Sequence, residues 1–134
     1  MRWNYHEIVD QGRSGVITKW LAELQPTKQR TKVVQKFKAR LQAMESLHQA
    51  QWPPSWTTRL TGYAYILELR FEVWNVQYRP LFFYGARQIV FALLALERGN
   101  RFVPADAPDR AEAARQGWLA HRIGTNEIDI DSLV

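Results

Sequence analysis

Four arginines lie among aromatic and branched residues in the second half of the chain: Arg70, Arg79, Arg98 and Arg101. A guanidinium can hold a phosphate through two parallel hydrogen bonds, and it stays protonated at any working pH. The four residues therefore predict anion binding and stabilisation of negative charge, but they are poor general bases. A proton-transfer group must come from elsewhere. The candidates are Glu68, Tyr84, Glu97 and His121.

Thiol and metal chemistry have little support in the composition. The chain has no cysteine, which excludes disulfides, thiolate metal sites and cysteine nucleophiles and suits a reducing cytoplasm. The three histidines lack the spacing of metal ligands, so we expect structural or surface roles for them. These are His6, His48 and His121. We expect no metal and no cofactor.

Size and charge predict one basic domain. The chain has 134 residues, of which 46% are hydrophobic and 13% aromatic, enough for a single folded core. Its net charge of +5 divides into +6 for residues 1–62, +2 for 63–124 and −3 for 125–134. A basic body attracts polyanions such as nucleic acids. No segment resembles a secretory signal or a bilayer span, so we expect a cytoplasmic protein without a membrane role.

The first half of the chain is predicted to be mainly helical. Residues 3–9 alternate in polarity and predict a short edge strand. Val16, Trp20 and Leu24 share one helical face that ends before Pro26. Thr27 can cap a second amphipathic helix that continues to residue 47, so the two helices should form a hairpin.

The second half is predicted to be mainly sheet, with a hinge at the double proline of residues 53–54. Three runs rich in aromatic and branched residues, 65–73, 77–84 and 88–96, predict an antiparallel meander. Alternation in the first run should place Glu68 and Arg70 together on an exposed face. Asp106 is a plausible cap for a final helix over 107–120. Residues 1–124 thus form the predicted domain, and 125–134 an acidic, mobile tail.

Three local motifs occur in a fixed order in the sheet half. The first is Leu60-x-Gly62 leading into Leu67-Glu68-Leu69-Arg70, and the second is Tyr78-Arg79-x-x-x-Phe83. The third is Leu93-Leu94 followed by a basic loop that reaches Pro104. This order resembles the RelE/ParE superfamily of toxins, and within it the HigB-like, phage-associated branch. The resemblance covers residues 16–122.

The resemblance implies a fold, an activity and partners. The implied fold is α+β and RelE-like, with an N-terminal strand and a helical hairpin packed on an antiparallel sheet, and a C-terminal helix. The implied activity is metal-independent cleavage of messenger RNA on the ribosome, in which a ribose 2′-hydroxyl attacks the neighbouring phosphate. The positions that match the family's catalytic cations are Arg70, Arg79, Arg98 and Arg101. The implied partners are the ribosome, messenger RNA and a cognate antitoxin, expected to be a helix-turn-helix protein.

The loop after the last strand departs from the HigB-like pattern, in which a lysine pair is followed by another lysine before the proline. Residues 97–104 here read Glu-Arg-Gly-Asn-Arg-Phe-Val-Pro, so one expected cation is an acid. We take Glu97 as the preferred proton-transfer candidate because it lies in this loop. All five lysines lie in the helical half, and we assign Tyr78 and three of them to RNA binding. Those three are Lys28, Lys32 and Lys36.

Each assignment has a structural alternative. Arg70 and Arg79 can be cross-strand partners of Glu68 and Glu72, since such pairs are common and weak. Glu97 and Arg98 can be solvated loop charges, and the basic helix can be a solvated surface rather than an RNA contact. The alternative functions are a non-enzymatic gyrase inhibitor of the ParE type, a phage protein on the same fold that lacks cleavage, or a structural phage component.

Overall fold

A computed structural model describes residues 2–9 and 14–133, which form an α+β fold. The helices are α1 (Val16–Glu23), α2 (Lys28–Glu45) and α3 (Ala107–Leu119). The strands are β1 (Asn4–Ile8), β2 (Thr57–Arg59), β3 (Leu67–Leu69), β4 (Phe71–Val73), β5 (Val76–Tyr84), β6 (Gln88–Arg98), β7 (Arg101–Val103) and β8 (Thr125–Ile128). The predicted α+β class is confirmed.

The eight strands form one mostly antiparallel sheet in the order β2-β3-β5-β6-β1-β8. β4 also pairs with β5, and β7 pairs with β6. The predicted meander corresponds to β3 with β4, then β5, then β6, because long β-branched and aromatic runs are joined by short turns. The pairing of β5 with β6 shifts by one residue, because Leu81 lies opposite Leu93 but Phe82 lies opposite Phe91. Such a β-bulge bends β6 at this point.

Helices cover both faces of the sheet. α1 and α2 lie on one face, where Trp20, Phe37 and Leu41 pack against Phe82 and Phe91. α3 covers part of the other face through Ala107 and Ala111, whose small side chains allow a close approach to the sheet. The helical hairpin follows the predicted period, since α2 buries Val33, Val34, Phe37, Leu41 and Met44. Thr27 occupies the N-cap position of α2, but its hydroxyl does not cap the helix.

The prediction that the first strand lies at a sheet edge was wrong. β1 runs inside the sheet, parallel to β6 and antiparallel to β8. Tyr5 and Ile8 are buried, and so is Glu7. The Glu7 carboxylate accepts hydrogen bonds from the amides of Ile17 and Thr18 at 2.9 and 2.8 Å and from the Thr18 hydroxyl at 2.6 Å. Glu7 is thus a polar residue that is buried, and its hydrogen bonds to the N-terminus of α1 compensate for the loss of solvent.

Residues 125–133, which were predicted to form a tail outside the domain, are part of the sheet and of the core. Residues 125–128 form β8, and Ile128 and Ile130 are buried in the core under α2. The acidic residues of this segment point outward, and Lys38 on α2 donates a hydrogen bond to the Asp131 carbonyl at 3.0 Å. The free energy gained by burying two isoleucines outweighs the preference of the charged residues for solvent, so the segment packs on the core.

No helix in residues 2–9 and 14–133 has both the length and the apolar character needed to cross a bilayer.

Candidate active site

Four of the charged residues singled out in the sequence meet on the α3 side of the sheet, beyond the area that α3 covers. We call Glu68, Arg70, Arg79 and Glu97 the charge cluster. Residues two apart on a strand point to the same face of the sheet. The core under α3 contains a residue two positions from each of Glu68, Arg79 and Glu97, namely Ile66, Leu81 and Ala95. In the register between β5 and β6, Arg79 lies opposite Ala95 and Gln77 lies opposite Glu97. Arg79 and Glu97 are therefore diagonal neighbours on one face.

Arg79 is held by several contacts and is only 3% exposed. Its guanidinium donates to the Tyr78 carbonyl at 2.8 Å and to the Gln77 side-chain oxygen at 2.9 Å. Its Nε lies 3.6 Å from Glu97 Oε1 and has no hydrogen-bond partner among the described residues. Burial and then repulsion by Arg70 lower the Arg79 pKa, while Glu97 and Glu68 act in the opposite direction. The guanidinium remains a fixed cation.

Arg70 and Glu68 form an ion pair on the same face. The prediction of a shared face is correct, but the prediction that both residues are exposed is wrong for Glu68. The Glu68 side chain is 6% exposed and that of Arg70 is 34% exposed. The difference arises because β2 pairs alongside β3, with Thr58 opposite Glu68, so that position 68 lies inside the sheet rather than at its edge.

A pocket of about 300 Å³ opens beside the cluster. Glu68 and Glu97 both line it, together with Arg59, Tyr63 and Phe102. Phe102 lies opposite Glu97 in the β6–β7 ladder and therefore shares its face. The Glu97 side chain is 27% exposed, so it is the more accessible of the two carboxylates. The two carboxylates thus face an open pocket, whereas Arg70 and Arg79 lie beside it and do not line it.

Arg98 and Arg101 do not join this cluster. The predicted loop is a tight hairpin: β6 continues to Arg98, and Gly99 and Asn100 form a two-residue turn with φ of 57° and 63°. Arg98 and Arg101 lie opposite each other in the ladder and are exposed. Because side chains alternate along β6, Arg98 faces away from the side that Glu97 occupies. The hairpin therefore presents two cations next to the site but on the other face.

Tyr78, which the sequence analysis assigns to RNA binding, is a core residue. It points to the opposite side of β5 from Arg79, is buried, and stacks on Phe71 with ring centroids 5.2 Å apart. Burial raises the Tyr78 pKa, although a hydrogen bond from Gln29 acts in the opposite direction. Its ring contacts Trp20 and Phe71 and is not available to stack on a base.

The helical lysines lie on the other side of the molecule from the charge cluster. Lys28, Lys32 and Lys36 recur every four residues on α2 and are exposed. Lys36 donates to the Glu72 carbonyl at 2.8 Å. The three lysines form one stripe, and they share with Arg98 the side of the sheet that α1 and α2 cover. They cannot contact the same phosphate as Arg79.

The chain matches no protein-family model, no curated protein and no solved structure. The likeness to the RelE/ParE superfamily therefore rests on the three sequence motifs.

The remaining candidates for proton transfer lie outside the cluster. Tyr84 packs against Trp3 and Trp52 in the core under the helical hairpin. His121 is exposed beyond the end of α3. Among the residues that the structure describes, no group of three or more histidines and carboxylates is placed to hold a metal ion. Glu97 and Glu68 are therefore the carboxylates available beside the arginines.

Sequence reasoning missed Gln77, which orients Arg79. Its side chain accepts from Arg79 and donates to the Glu72 carboxylate. The signal was present, because residues 77 and 79 are two apart on a strand and must share a face. The alternative was that the arginines pair across strands with Glu68 and Glu72. Arg70 does pair with Glu68, but that residue is two positions earlier on the same stretch of chain. Arg79 contacts Glu97 on the neighbouring strand rather than Glu72.

Proposed function

We propose that this chain is a toxin of a type II toxin–antitoxin system that cleaves messenger RNA on the ribosome. In this proposal it belongs to the HigB-like branch of the RelE/ParE superfamily and is neutralised by a cognate antitoxin. The observation that carries the proposal is the charge cluster, in which Arg79 contacts Glu97 and Arg70 contacts Glu68, with both carboxylates lining an open pocket. A carboxylate next to fixed cations suits transfer of a phosphoryl group without a metal.

In the proposed reaction, one carboxylate accepts a proton and two arginines stabilise negative charge. Glu97 accepts the proton of a ribose 2′-hydroxyl, whose oxygen then attacks the neighbouring phosphorus. A new oxygen–phosphorus bond forms, the bond to the 5′-oxygen breaks, and the leaving oxygen takes a proton from solvent. Arg79 and Arg70 offset the charge that develops on the phosphate oxygens. Gln77 fixes the orientation of Arg79, which matters because a small displacement of a catalytic group lowers the rate strongly.

Primer extension on a reporter message, translated in a bacterial extract with the purified protein, tests this proposal. We expect new 5′ ends within the translated message, and we expect E97Q and R79K to reduce cleavage by about 100-fold or more, the range for loss of one acid–base or charge-stabilising group. E127Q is the matched control, because Glu127 is an exposed carboxylate on β8 at the far edge of the sheet. An intact message with the wild-type protein, or equal cleavage by E97Q, would overturn the proposal.

A second function, non-enzymatic binding on the same fold, is favoured by a different observation. Each cluster arginine already contacts a carboxylate, so the two arginines and two glutamates together carry no net charge. Arg79 is also almost fully buried. Ion-pair networks that only stabilise a fold have the same pairing and burial. The candidates are a gyrase inhibitor of the ParE type and a phage protein without cleavage. Inhibition of purified gyrase, together with intact messages in expressing cells, would favour the inhibitor.

A further inference from the structure

One stretch of β6 lacks a strand partner on its outer edge. β5 pairs along one edge of β6. On the other edge the parallel ladder with β1 ends at Phe91, and the ladder with β7 begins at Leu96. Among the described residues, no strand pairs with residues 92–95 there. About every second residue of such a stretch directs its backbone N–H and C=O outward, so the edge can accept another strand.

The open edge lies in a groove with a volume of about 870 Å³. Ala92, Leu93 and Leu94 form the part of its lining that belongs to β6. Trp20 on α1 and Ile123 after α3 contribute apolar surface on either side. Leu93 and Leu94 are only partly buried, so the groove leaves leucine surface without a cover. A short extended peptide fits a groove of this volume and lining.

Charge decides which peptide suits the groove. Its lining includes Arg110 and Arg122, with Glu23 as the opposing acid, so these three residues leave a surplus of one positive charge. Arg110 lies 3.9 Å from Asp106, but both side chains are more than half exposed, so that pair is weak. Arg122 is exposed. The positive rim therefore attracts an acidic ligand, and the leucines and the strand edge select one with an extended backbone and apolar side chains.

We propose that this groove binds an extended acidic segment of a partner protein, which adds a short strand to β6 along residues 92–95. Main-chain hydrogen bonds and the leucine contacts supply affinity, and Arg110 and Arg122 select for acidic side chains. The proposal does not depend on RNA cleavage, because none of the charge-cluster residues lines the groove. A nucleic acid is the less suitable ligand, since it offers no N–H and C=O ladder to an open strand edge.

Nuclear magnetic resonance titration of the full chain tests this inference. The probe is an acetylated and amidated hexapeptide of alternating glutamate and valine. We expect saturable shifts of the amides at residues 92–95 and slower hydrogen exchange there. A peptide with lysine in place of glutamate, and one with alternate amides N-methylated, should bind at least tenfold more weakly. Shifts confined to other residues, or equal binding of the N-methylated peptide, would refute the proposal.

Charge reversal supplies the matched variants. R110E/R122E should lower the affinity for the acidic peptide at least tenfold, and R122E alone should lower it about threefold if the double variant is unstable. R2E/R87E, which makes the same change of net charge at exposed positions away from the groove, should leave the affinity within about twofold. If hexa-adenylate shifts residues 92–95 and the peptide does not, the groove is a nucleic-acid site and the proposal fails. Concentration-dependent dimer formation through the same amides would also overturn it.

Discussion

Arg79 combines two properties: it makes more contacts than the other cation of the charge cluster, and it is one of the most buried members of the cluster. Its contacts with Tyr78, Gln77 and Glu97 satisfy most of the guanidinium, while the Nε has only the 3.6 Å approach of Glu97. A buried cation without its carboxylate is costly, and a carboxylate without its cation is costly for the same reason. The pair can thus serve structure and chemistry at once, and a stability measurement separates these roles.

We predict that R79M destabilises the fold by about 2 to 3 kcal/mol, because it leaves Glu97 and Glu68 beside an apolar side chain. The double variant R79M/E97Q should recover at least about 1 kcal/mol of that loss, since the uncompensated charge is removed. Urea unfolding of the wild type, both single variants and the double variant measures the coupling. Strict additivity of the two losses would show that Arg79 and Glu97 do not interact energetically.

At the element scale, the start of α1 depends on a residue of β1. Glu7 lies in the sheet and accepts hydrogen bonds from Ile17 and Thr18, so it joins the first strand to the first helix. Gly15 precedes the helix as its N-cap and lies directly over the Glu7 carboxylate. A Cβ at Gly15 would overlap that carboxylate, so the absence of a side chain at position 15 is required by close approach and not by a turn.

We predict that G15A lowers the free energy of unfolding by about 1 to 3 kcal/mol, the range for inserting an atom into occupied space. G124A is the matched control, because a Cβ at Gly124 meets nothing within 4 Å. That control should be neutral or slightly stabilising, since alanine reduces the entropy of the unfolded chain. Thermal unfolding of the two variants side by side measures the difference. Equal melting temperatures would contradict this account of the α1 cap.

A pair on α3 predicts a pH effect. The Glu112 carboxylate accepts hydrogen bonds from Arg115 at 2.7 and 2.9 Å, and these bonds are the main cause of the lowered Glu112 pKa. A lowered folded-state pKa means that the contribution is present at neutral pH and lost as the pH falls through it. We predict that E112Q costs about 0.5 kcal/mol at pH 7. The difference from wild type should shrink as the pH falls below the ordinary range of a glutamate and should vanish only below the lowered folded-state pKa. Urea unfolding at pH 7 and at a series of lower pH values measures it.

The helices and the meander could be predicted from sequence because their signals are local: the period of α2, Pro26, and strong strand formers separated by short turns. The position of β1 could not, since its parallel pairing with β6 joins residues more than eighty positions apart. The tail carried a usable signal, because Ile128 and Ile130 alternate with acids. Charge composition concealed that alternation. Glu68 was expected to be exposed because residues 65–73 alternate in polarity, and that alternation does not reveal the strand that flanks position 68.

At the scale of the whole molecule, the charges divide between the two sides of the sheet. The charge cluster carries no net charge on the α3 side, whereas the exposed stripe of Lys28, Lys32 and Lys36 lies on the helical side with Arg98. A neutral cluster cannot supply much of the salt-dependent affinity for RNA, since that affinity comes from phosphates neutralised by cations. If the chain binds ribosomal RNA, the helical side should supply the affinity and the cluster the chemistry.

This division gives a prediction that separates binding from cleavage. K28Q/K32Q/K36Q should weaken association with ribosomes and reduce the slope of log affinity against log salt by up to about 3, because each phosphate contact contributes about 0.7 for single strands and about 0.9 for duplexes. E97Q should leave both the affinity and the slope unchanged while it reduces cleavage by about 100-fold or more. Sedimentation with ribosomes at several salt concentrations measures the slope. If the lysine variant keeps the wild-type slope, the stripe is a solvated surface. We would then expect the hairpin cations Arg98 and Arg101, which lie on the same side of the sheet, to supply the affinity, and their removal should show the slope change instead.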